Sequence, residues 1–288
     1  MKEIVVISGK GGTGKTSITS SLAILAGKDV ILADCDVDAA DMHILMRPDF
    51  AEKHEFYSGK TAEIIQDECT KCGKCMQVCR FDAISIIDGK YIVDPISCEG
   101  CEYCARICPV QTIEMKENLS GHWYRSNIRT GTKMIHAKLG IGSDNSGKLV
   151  AQVKKEAKKT AETENKNMVL VDGPPGVACP VVSSLSGADY VLLVTEPTVS
   201  GVHDLKRVYE LAKKFRIKAG CVINKADLNE SKTKQITDFL EKENIELLSV
   251  IPYDESFSRA MVEGKAVVEI EGSVKKQIEI IWEKIQEV

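Results

Sequence analysis

The stretch Gly9-Lys10-Gly11-Gly12-Thr13-Gly14-Lys15-Thr16 stands near the start of the chain, between a strand pattern over 3–8 and a helical pattern over 16–26. A glycine-rich turn in this position lets backbone amides approach phosphate groups at the start of a helix. Lys15 can reach the β- and γ-phosphate oxygens, and Thr16 can place its hydroxyl on Mg²⁺. The sequence therefore predicts a phosphate-binding loop for ATP or ADP, formed by Gly9, Lys10, Gly11, Gly12, Thr13, Gly14, Lys15, Thr16 and Ser17.

Strand and helix patterns alternate along most of the chain. We predict strands over 3–8, 30–33, 168–172, 190–195, 219–224 and 247–251, and helices over 16–26, 147–163, 181–185, 202–215, 231–243, 256–263 and 274–287. Such alternation favours an α/β fold with a mostly parallel, doubly wound sheet. Because the alternation breaks over 66–116, we expect one P-loop domain in two parts, 1–65 and 117–288, with a small α+β module inserted at 66–116.

The composition is that of a globular protein. Hydrophobic residues make up 43% of the 288 residues, charged residues 28%, and the formal net charge is −4, which gives no support for nucleic-acid binding. No apolar stretch reaches membrane-spanning length, and the N-terminus lacks a secretory leader pattern. The apolar stripe over 274–288 is flanked by balanced lysines and glutamates, which favours docking on the core. We expect a cytoplasmic protein without stable membrane anchoring.

Eight of the 11 cysteines lie in two runs, CTKCGKCMQVC over 69–79 and CEGCEYCARIC over 98–108. Both have the spacing CxxCxxCxxxC of bacterial ferredoxins, in which three thiolates of a run hold one [4Fe-4S] cluster and the fourth reaches the other cluster. On this pattern cluster one is held by Cys69, Cys72, Cys75 and Cys108, and cluster two by Cys79, Cys98, Cys101 and Cys104. Two zinc sites are the alternative, although zinc modules usually separate their CxxC pairs by a longer loop.

The motif GKGGTGKT resembles the deviant Walker A loop of the MinD, Mrp and nitrogenase iron protein superfamily. With its cysteine runs, the whole chain resembles the members that carry an inserted ferredoxin domain. The resemblance implies a slow, partner-stimulated ATPase that forms a homodimer around ATP. In that superfamily the lysine at the position of Lys10 reaches the partner's nucleotide, where its charge stabilises the transferring phosphoryl group. Lys10 and Lys15 are therefore expected to act in catalysis.

Two further segments resemble the switches of this superfamily. Asp34-Cys35-Asp36-Val37-Asp38 resembles switch I, and the resemblance assigns to Asp36 the orientation of the attacking water. Asp34, Asp38 and Asp41 are further candidates in that acidic segment. The segment 169–176 resembles switch II, in which Asp172 joins Thr16 around Mg²⁺ and Gly173 offers its amide to the γ-phosphate.

The base of the nucleotide is assigned by resemblance as well. Asn224 follows a predicted strand and resembles the asparagine that contacts adenine. Pro252 begins the loop 252–254, which resembles the loop that closes over the base. Both motifs are short, and similar loops are common in other folds.

Three cysteines lie outside the two runs. Cys35 and Cys221 have the pattern of small buried side chains beside strands. Cys179 follows Asp172 by seven residues, near where the nitrogenase iron protein holds a subunit-bridging cluster. That cluster needs two cysteines per subunit, and 109–172 contains no other cysteine, so we expect a packing or redox role for Cys179.

Three functions are consistent with these features. The first is an ATP-gated electron carrier that delivers electrons through two [4Fe-4S] clusters to a redox or metallocofactor protein. The second is an Mrp-like factor for cluster assembly or metal insertion, which no CxxC outside the two runs supports. The third is a MinD-type positioning or partner-activating switch with structural or sensory clusters. The eight ferredoxin-type ligands favour the first.

Overall fold

The computed structural model describes residues 1–38, 40–140 and 145–288. The described chain divides into two compact units. The first contains Met1–His54, His122–Leu139 and Ser146–Val288, and the second contains Glu55–Gly121 with Gly140 and Asn145.

The strands are β1 (Lys2–Ser8), β2 (Val30–Asp34), β3 (Glu52–Ile64), β4 (Ile84–Ile87), β5 (Lys90–Val93), β6 (Ile113–Asn127), β7 (Lys133–Leu139), β8 (Met168–Pro175), β9 (Tyr190–Thr195), β10 (Lys218–Ile223) and β11 (Glu246–Val250). The α-helices are α1 (Lys15–Ala26), α2 (Met42–Met46), α3 (Lys74–Val78), α4 (Tyr103–Ile107), α5 (Ser146–Thr163), α6 (Cys179–Leu185), α7 (Val199–Lys214), α8 (Glu230–Lys242), α9 (Ser256–Glu263) and α10 (Ser273–Gln286).

Nine of the described strands form one sheet in the order β11-β10-β9-β1-β8-β2-β7-β6-β3. The pairs from β11 to β7 are all parallel, which confirms the predicted mostly parallel α/β sheet. The buried apolar runs of the other strands explain why the sequence pattern finds them, since strands covered on both faces are nearly continuously hydrophobic. Strand β7 was missed, because His136 and Lys138 interrupt its apolar residues. Each predicted strand and helix is present, with ends shifted by three residues at most.

The predictions missed the long strands β3 and β6. Most of their residues are exposed or only partly buried, so no apolar run marks them in the sequence. The limits of the second unit fall inside these strands, and it therefore extends beyond the predicted insert of 66–116 at both ends. Helices α3 and α4 were also missed, because five residues are too few to show a helical period.

The core of the first unit gathers apolar side chains from the central strands and from the covering helices. Ile4, Leu32 and Leu170 on the strands pack with Ile18 and Leu22 on α1. The C-terminal helix α10 buries its whole apolar stripe in this core, through Val274, Ile278, Ile281 and Ile285. Among the described helices, none is long and apolar enough to span a membrane.

The second unit has a smaller core formed by Ala62, Ile64, Ile84 and Ile113. Strands β4 and β5 form a separate antiparallel hairpin in it. Six of the run cysteines pack against the core, namely Cys69, Cys75, Cys79, Cys98, Cys104 and Cys108. A core this small stabilises a domain weakly on its own, and groups bound by the cysteines would add stability.

Candidate functional site

The predicted nucleotide site lies where the parallel strands of the first unit end. The loop after β1 leads into α1, and β2, β8 and β10 end at the same edge of the sheet. A cavity of about 660 Å³ opens there, lined by Ser8, Gly11, Gly12, Thr13, Gly14, Lys15, Thr16, Ser17, Asp36, Asp41, Pro175, Asn224, Lys225, Tyr253, Asp254, Phe257, Ser258, Met261 and Val262. A cavity at the carboxyl edge of a parallel sheet is where open α/β folds bind their ligands.

Lys15, Thr16 and Asp172 form a connected cluster at the bottom of the cavity. Lys15 Nζ lies 3.0 Å from Asp172 Oδ2 and 3.6 Å from Asp36 Oδ2. Thr16 Oγ1 donates to Asp172 Oδ2 at 2.8 Å, and Thr19 Oγ1 donates to Asp172 Oδ1 at 2.8 Å. Burial by itself lowers the pKa of Lys15, but the charges of Asp172 and Asp36 outweigh it and raise the pKa above its usual value. Lys15 is therefore a charged group at neutral pH.

Asp34 supports the turn that carries Asp36. It lies opposite Asp172 in the β2–β8 register, and its Oδ1 accepts a hydrogen bond from Asp36 N at 3.1 Å. Burial and the neighbouring Asp172 charge raise the pKa of Asp34 well above its usual range. Asp36 and Asp41 line the cavity, whereas Asp38 is exposed on the turn. The structure thus makes Asp34 a support of the turn that carries Asp36.

Asn224 and Lys225 tie the end of β10 to the phosphate loop. Asn224 Nδ2 donates to Thr13 O at 2.9 Å, and Lys225 Nζ donates to Gly12 O at 2.9 Å. Gly14 has a φ of 91°, and a Cβ on it would lie 2.5 Å from Asn224 Nδ2. Glycine is needed at this position because an L side chain would be strained and would displace the asparagine.

The side chain of Lys10 contacts residues of its own chain that do not line the cavity. Its Nζ lies 2.6 Å from Glu196 Oε1 and donates to Thr198 Oγ1 at 2.9 Å and to Ser200 Oγ at 3.0 Å. Lys225 Nζ donates to the other oxygen of Glu196 at 2.8 Å. Burial alone would raise the pKa of Glu196, but hydrogen bonds from the two lysines lower it below its usual value. Glu196 therefore connects two cations.

The remaining predicted nucleotide residues lie beside the cavity. A Cβ on Gly9 would lie 2.5 Å from Asp204, and a Cβ on Gly173 would lie 2.5 Å from Ile7 Cγ2, so both glycines allow close backbone packing. Pro252 is exposed, and the two residues after it supply the cavity wall. The sequence analysis did not find Thr19, Glu196 or the apolar side of the cavity formed by Phe257 and Met261. These last two residues are four positions apart on α9, a spacing that places them on one face of the helix and could have indicated this apolar side.

The two cysteine runs surround two cavities within the described part of the second unit. The first cavity is lined by Cys69, Cys72, Cys75 and Cys108, together with Ile64, Thr70, Gly73, Lys74, Tyr91, Pro109, Val110, Thr112 and Ile113. The second is lined by Cys79, Cys98, Cys101 and Cys104, together with Ala62, Val78, Phe81, Ala83, Ile84, Val93, Glu99, Gly100, Glu102, Tyr103 and Met115. Each cavity is therefore lined by the first three cysteines of one run and the last cysteine of the other run, which are the two predicted sets of four.

The backbone of the two runs repeats. Lys71 and Gly100, at equivalent positions, have φ angles of 58° and 62°, and Gly73 and Glu102 have 74° and 64°. Each run then enters a five-residue helix that ends directly before its last cysteine. Left-handed residues among right-handed ones make concave backbone surfaces whose amides suit an anionic group. Both runs thus have the same left-handed backbone conformation at these two positions.

The three other cysteines differ in exposure. Cys35 and Cys221 are buried, as predicted, and burial raises the pKa of both thiols above the usual range. Cys179 is exposed at the start of α6. Among the described residues, no three His, Cys, Asp or Glu side chains converge closely enough to hold a single metal ion.

The fold and the phosphate loop define a P-loop nucleotide-binding protein. The family model described as the CobQ/CobB/MinD/ParA nucleotide binding domain matches residues 4–267, and the chain belongs to this family.

Individual proteins resemble the whole chain or its cysteine-rich part. An uncharacterized protein of Methanocaldococcus jannaschii is 33% identical over 287 residues, which are 99% of this chain and 96% of that protein. The structure of the septum site-determining protein MinD of Pyrococcus horikoshii, complexed with Mg-ADP, has a TM-score of 0.59 at 19% identity and covers 99% of this chain and 95% of its own. A ferredoxin-like protein in the nif region of Sinorhizobium fredii is 37% identical over 54 residues, 17% of this chain and 84% of that protein.

Proposed function

We propose that this protein hydrolyses ATP and uses a nucleotide-dependent homodimer to control electron transfer through two [4Fe-4S] clusters to a redox or metallocofactor protein. The observation that carries the proposal is the grouping of the eight run cysteines into two sets of four, in a chain that also has a P-loop site. On this proposal 66–116 is an inserted ferredoxin domain of a cytoplasmic ATPase. Bound clusters would supply one-electron transfer.

The cysteine geometry favours clusters over zinc. Four thiolates of a zinc site lie about 2.3 Å from one ion. Here each set of four lines a cavity and combines three closely spaced cysteines of one run with the last cysteine of the other, as in bacterial ferredoxins. The two runs also share left-handed backbone positions before their helices, and backbone amides near cluster sulfurs would stabilise a negatively charged cluster. The similarity of the Sinorhizobium fredii ferredoxin-like protein supports the same interpretation.

The phosphate-loop geometry supports Mg-nucleotide binding. Thr16 and Asp172 present a hydroxyl and a carboxylate 2.8 Å apart, and oxygen ligands of this kind suit Mg²⁺. Lys15 would hold the phosphates, and Asp36 would orient the attacking water from the wall of the cavity. The Mg-ADP ligand of the Pyrococcus horikoshii structure supports this choice of ligand.

Lys10 is proposed to act on the nucleotide of a second copy. Its side chain is 26% exposed and contacts Glu196, Thr198 and Ser200, none of which lines the cavity. A lysine that leaves this position could reach a partner, and its charge would stabilise the transition state as an arginine finger does.

Metal analysis with matched cysteine variants tests the proposal. Anaerobically prepared protein should contain about eight irons and eight acid-labile sulfides per chain, because two clusters hold four of each. Cys72→Ser should lose about half of the iron. Cys179→Ser is the matched control, since both thiols are exposed, and it should keep the full content. Two zinc ions per chain after anaerobic reconstitution would contradict the proposal.

A nucleotide-locked pull-down separates electron transfer from the other two functions. The bait is Asp36→Ala, which should accumulate the ATP-bound dimer. Capture of a redox enzyme that accepts electrons from the reduced bait supports the proposal. Transfer of intact cluster or metal to the captured protein would favour the assembly factor, and activation of it without either would favour a MinD-type switch.

A further inference from the structure

The two cysteine runs carry opposite charges at their ligand loops. Run one, over 69–79, opens with CTKCGKC, and run two, over 98–108, opens with CEGCEYC. Between their first three cysteines, run one has two lysines and no acid, whereas run two has two glutamates and no base. These residues are Lys71, Lys74, Glu99 and Glu102. Because the two runs share their left-handed backbone positions, the difference between the loops lies in their side chains.

The same difference is seen in the walls of the two cysteine cavities. Within the described chain, Lys74 is the only lysine, arginine, aspartate or glutamate that lines the first cavity, and Glu99 and Glu102 are the only ones that line the second. Other exposed charges close to the runs in sequence line neither cavity: Asp67, Glu68, Arg80 and Arg106. The first cavity is therefore basic and the second acidic.

Each set of four cysteines has one exposed member, which is Cys72 in the first set and Cys101 in the second. A redox partner comes closest to a bound cluster at the ligand that reaches the surface. Lys71 is exposed directly before Cys72, and the exposed Lys74 begins α3 two residues after it. A partner that approaches cluster one at Cys72 therefore meets two positive charges.

The two lysines of run one are available to a partner. Neither Lys71 nor Lys74 forms a salt bridge with the residues that the structure describes. In run two, by contrast, Glu102 is paired with Lys60 at 2.8 Å, which neutralises part of the acidic charge within the chain. Exposed charges without a partner in their own chain are the ones that can attract an oppositely charged surface.

We propose that a basic face beside cluster one binds an acidic one-electron carrier protein, which accepts an electron from this cluster. The basic face consists of Lys71, Cys72, Lys74 and Val110, of which Val110 is 42% exposed and lines the first cavity. The proposal rests on the electron-transfer function proposed above and names the chemistry of the partner.

Charge explains why the carrier would use this face. The lysines attract an acidic surface over about 8 Å at physiological ionic strength, and such attraction orients the carrier during the encounter. Glu99, which forms no salt bridge with the described residues, repels the same carrier from the second cavity. In the productive complex one electron leaves cluster one and reduces the carrier. The two clusters would therefore be reached by different partners.

Calorimetric titration of the anaerobic full chain with flavodoxin, an acidic one-electron carrier, tests the proposal. Both proteins are used oxidised, with Mg²⁺ and a non-hydrolysable ATP analogue, so that binding is measured without turnover. Flavodoxin should bind, and its affinity should fall as the salt concentration rises. The double variant Lys71→Gln, Lys74→Gln should weaken binding about three- to tenfold, because two exposed charge contacts are lost.

Glu99→Gln is the matched control for this titration. It neutralises one exposed charge at the second cavity and should not weaken the binding of flavodoxin. All variants should keep the iron content of the unaltered protein, since none of the changed residues is a cysteine. A loss of affinity in the double variant then reports the charge of the basic face.

Stopped-flow mixing of the reduced protein with an oxidised carrier gives a second readout. Flavodoxin takes up one electron from the protein and one proton from water to form its semiquinone. Cytochrome c, a basic carrier, takes up one electron at its haem iron. The double lysine variant should reduce flavodoxin about three- to tenfold more slowly and cytochrome c no more slowly. Removing positive charge makes a nearby cluster a stronger reductant, so a slower reaction reports docking.

The possible failures are distinct. If the protein holds its iron but flavodoxin does not bind, or binds the double variant as tightly as the unaltered protein, the proposal is wrong and the electron carrier stands. If the lysines instead hold a second copy of this chain, the double variant should abolish self-association, and the acidic carrier is not the occupant. If the protein binds no iron, the proposed electron transfer itself is wrong, and this proposal falls with it.

Discussion

Neutralising Glu196 should tighten the nucleotide-dependent homodimer. Under the proposed function Lys10 must leave Glu196 before it can reach the partner's nucleotide. The contact that it would leave is close, with Lys10 Nζ 2.6 Å from Glu196 Oε1, and it holds the lysine on its own chain. Glu196→Gln removes the charge and keeps one neutral acceptor oxygen, which can accept from Lys10 or Lys225, while its amide NH2 group only donates.

The size of the effect follows from the exposure of the pair. The side chains of Lys10 and Glu196 are 26% and 10% exposed, so water screens their attraction only in part. We take the ion pair as about 0.5–1 kcal/mol, the upper half of the range for exposed pairs. A dimer breaks two such pairs, which gives about 1–2 kcal/mol, or about five- to thirtyfold in the dimerisation constant.

Sedimentation velocity over a range of protein concentrations, with a non-hydrolysable ATP analogue and Mg²⁺, measures that constant. Glu243→Gln is the matched control, because it removes a Glu–Lys pair of similar distance, 2.8 Å to Lys213, outside the cavity. The control should dimerise like the unaltered protein. Dimerisation of Glu196→Gln that is equal to or weaker than that of the unaltered protein would refute the idea that Glu196 restrains Lys10.

Three further predictions concern the loop lysines, switch I and a buried histidine. In equilibrium binding Lys15→Ala should weaken ATP analogue binding at least about tenfold through loss of a charged phosphate contact, whereas Lys10→Ala should bind it as a monomer and lose dimerisation and hydrolysis. Asp36→Ala should retain the ATP dimer in gel filtration without turnover, because only the orientation of water is lost. Burial lowers the pKa of His136 from 6.5 to about 4. The unfolded chain therefore binds this proton more strongly than the folded protein does. The free energy of unfolding should rise with pH between about 4 and 6.5, by up to about 3 kcal/mol. In urea unfolding at pH 4.5 and 7, His136→Gln should reduce that rise, and an unchanged rise would show that His136 does not cause it.

Much of the nucleotide site was predictable because its parts follow directly from local sequence. Lys15 and Thr16 begin the helix after β1, and Asp172 lies on β8, which pairs with β1. Parallel neighbours end at the same edge of a sheet, so strand patterns alone bring these residues together. The cysteine sets were predictable for a similar reason, since ligand spacing in a short chain segment restricts which thiols can meet.

Other contacts depend on strand order, which no local pattern encodes. Glu196 meets Lys10 because β9 is the neighbour of β1, although the strand is far from the loop in sequence. Strands β3 and β6 were missed because their side chains are largely exposed, so that hydrophobic periodicity gives no signal.

The charges of the phosphate loop imply that nucleotide and Mg²⁺ bind together. Lys15 pairs with Asp172, whose 1% exposure leaves it almost no contact with water. If Lys15 turned from Asp172 to the phosphates of a nucleotide without Mg²⁺, the buried Asp172 carboxylate would have no cation beside it, which costs several kcal/mol. Mg²⁺ at Asp172 and Thr16, two groups already 2.8 Å apart, would replace the lost charge. Asp172 therefore makes a nucleotide without Mg²⁺ a poor ligand. Only the Mg²⁺ complex of the nucleotide brings a cation that can pair with Asp172 when Lys15 moves to the phosphates.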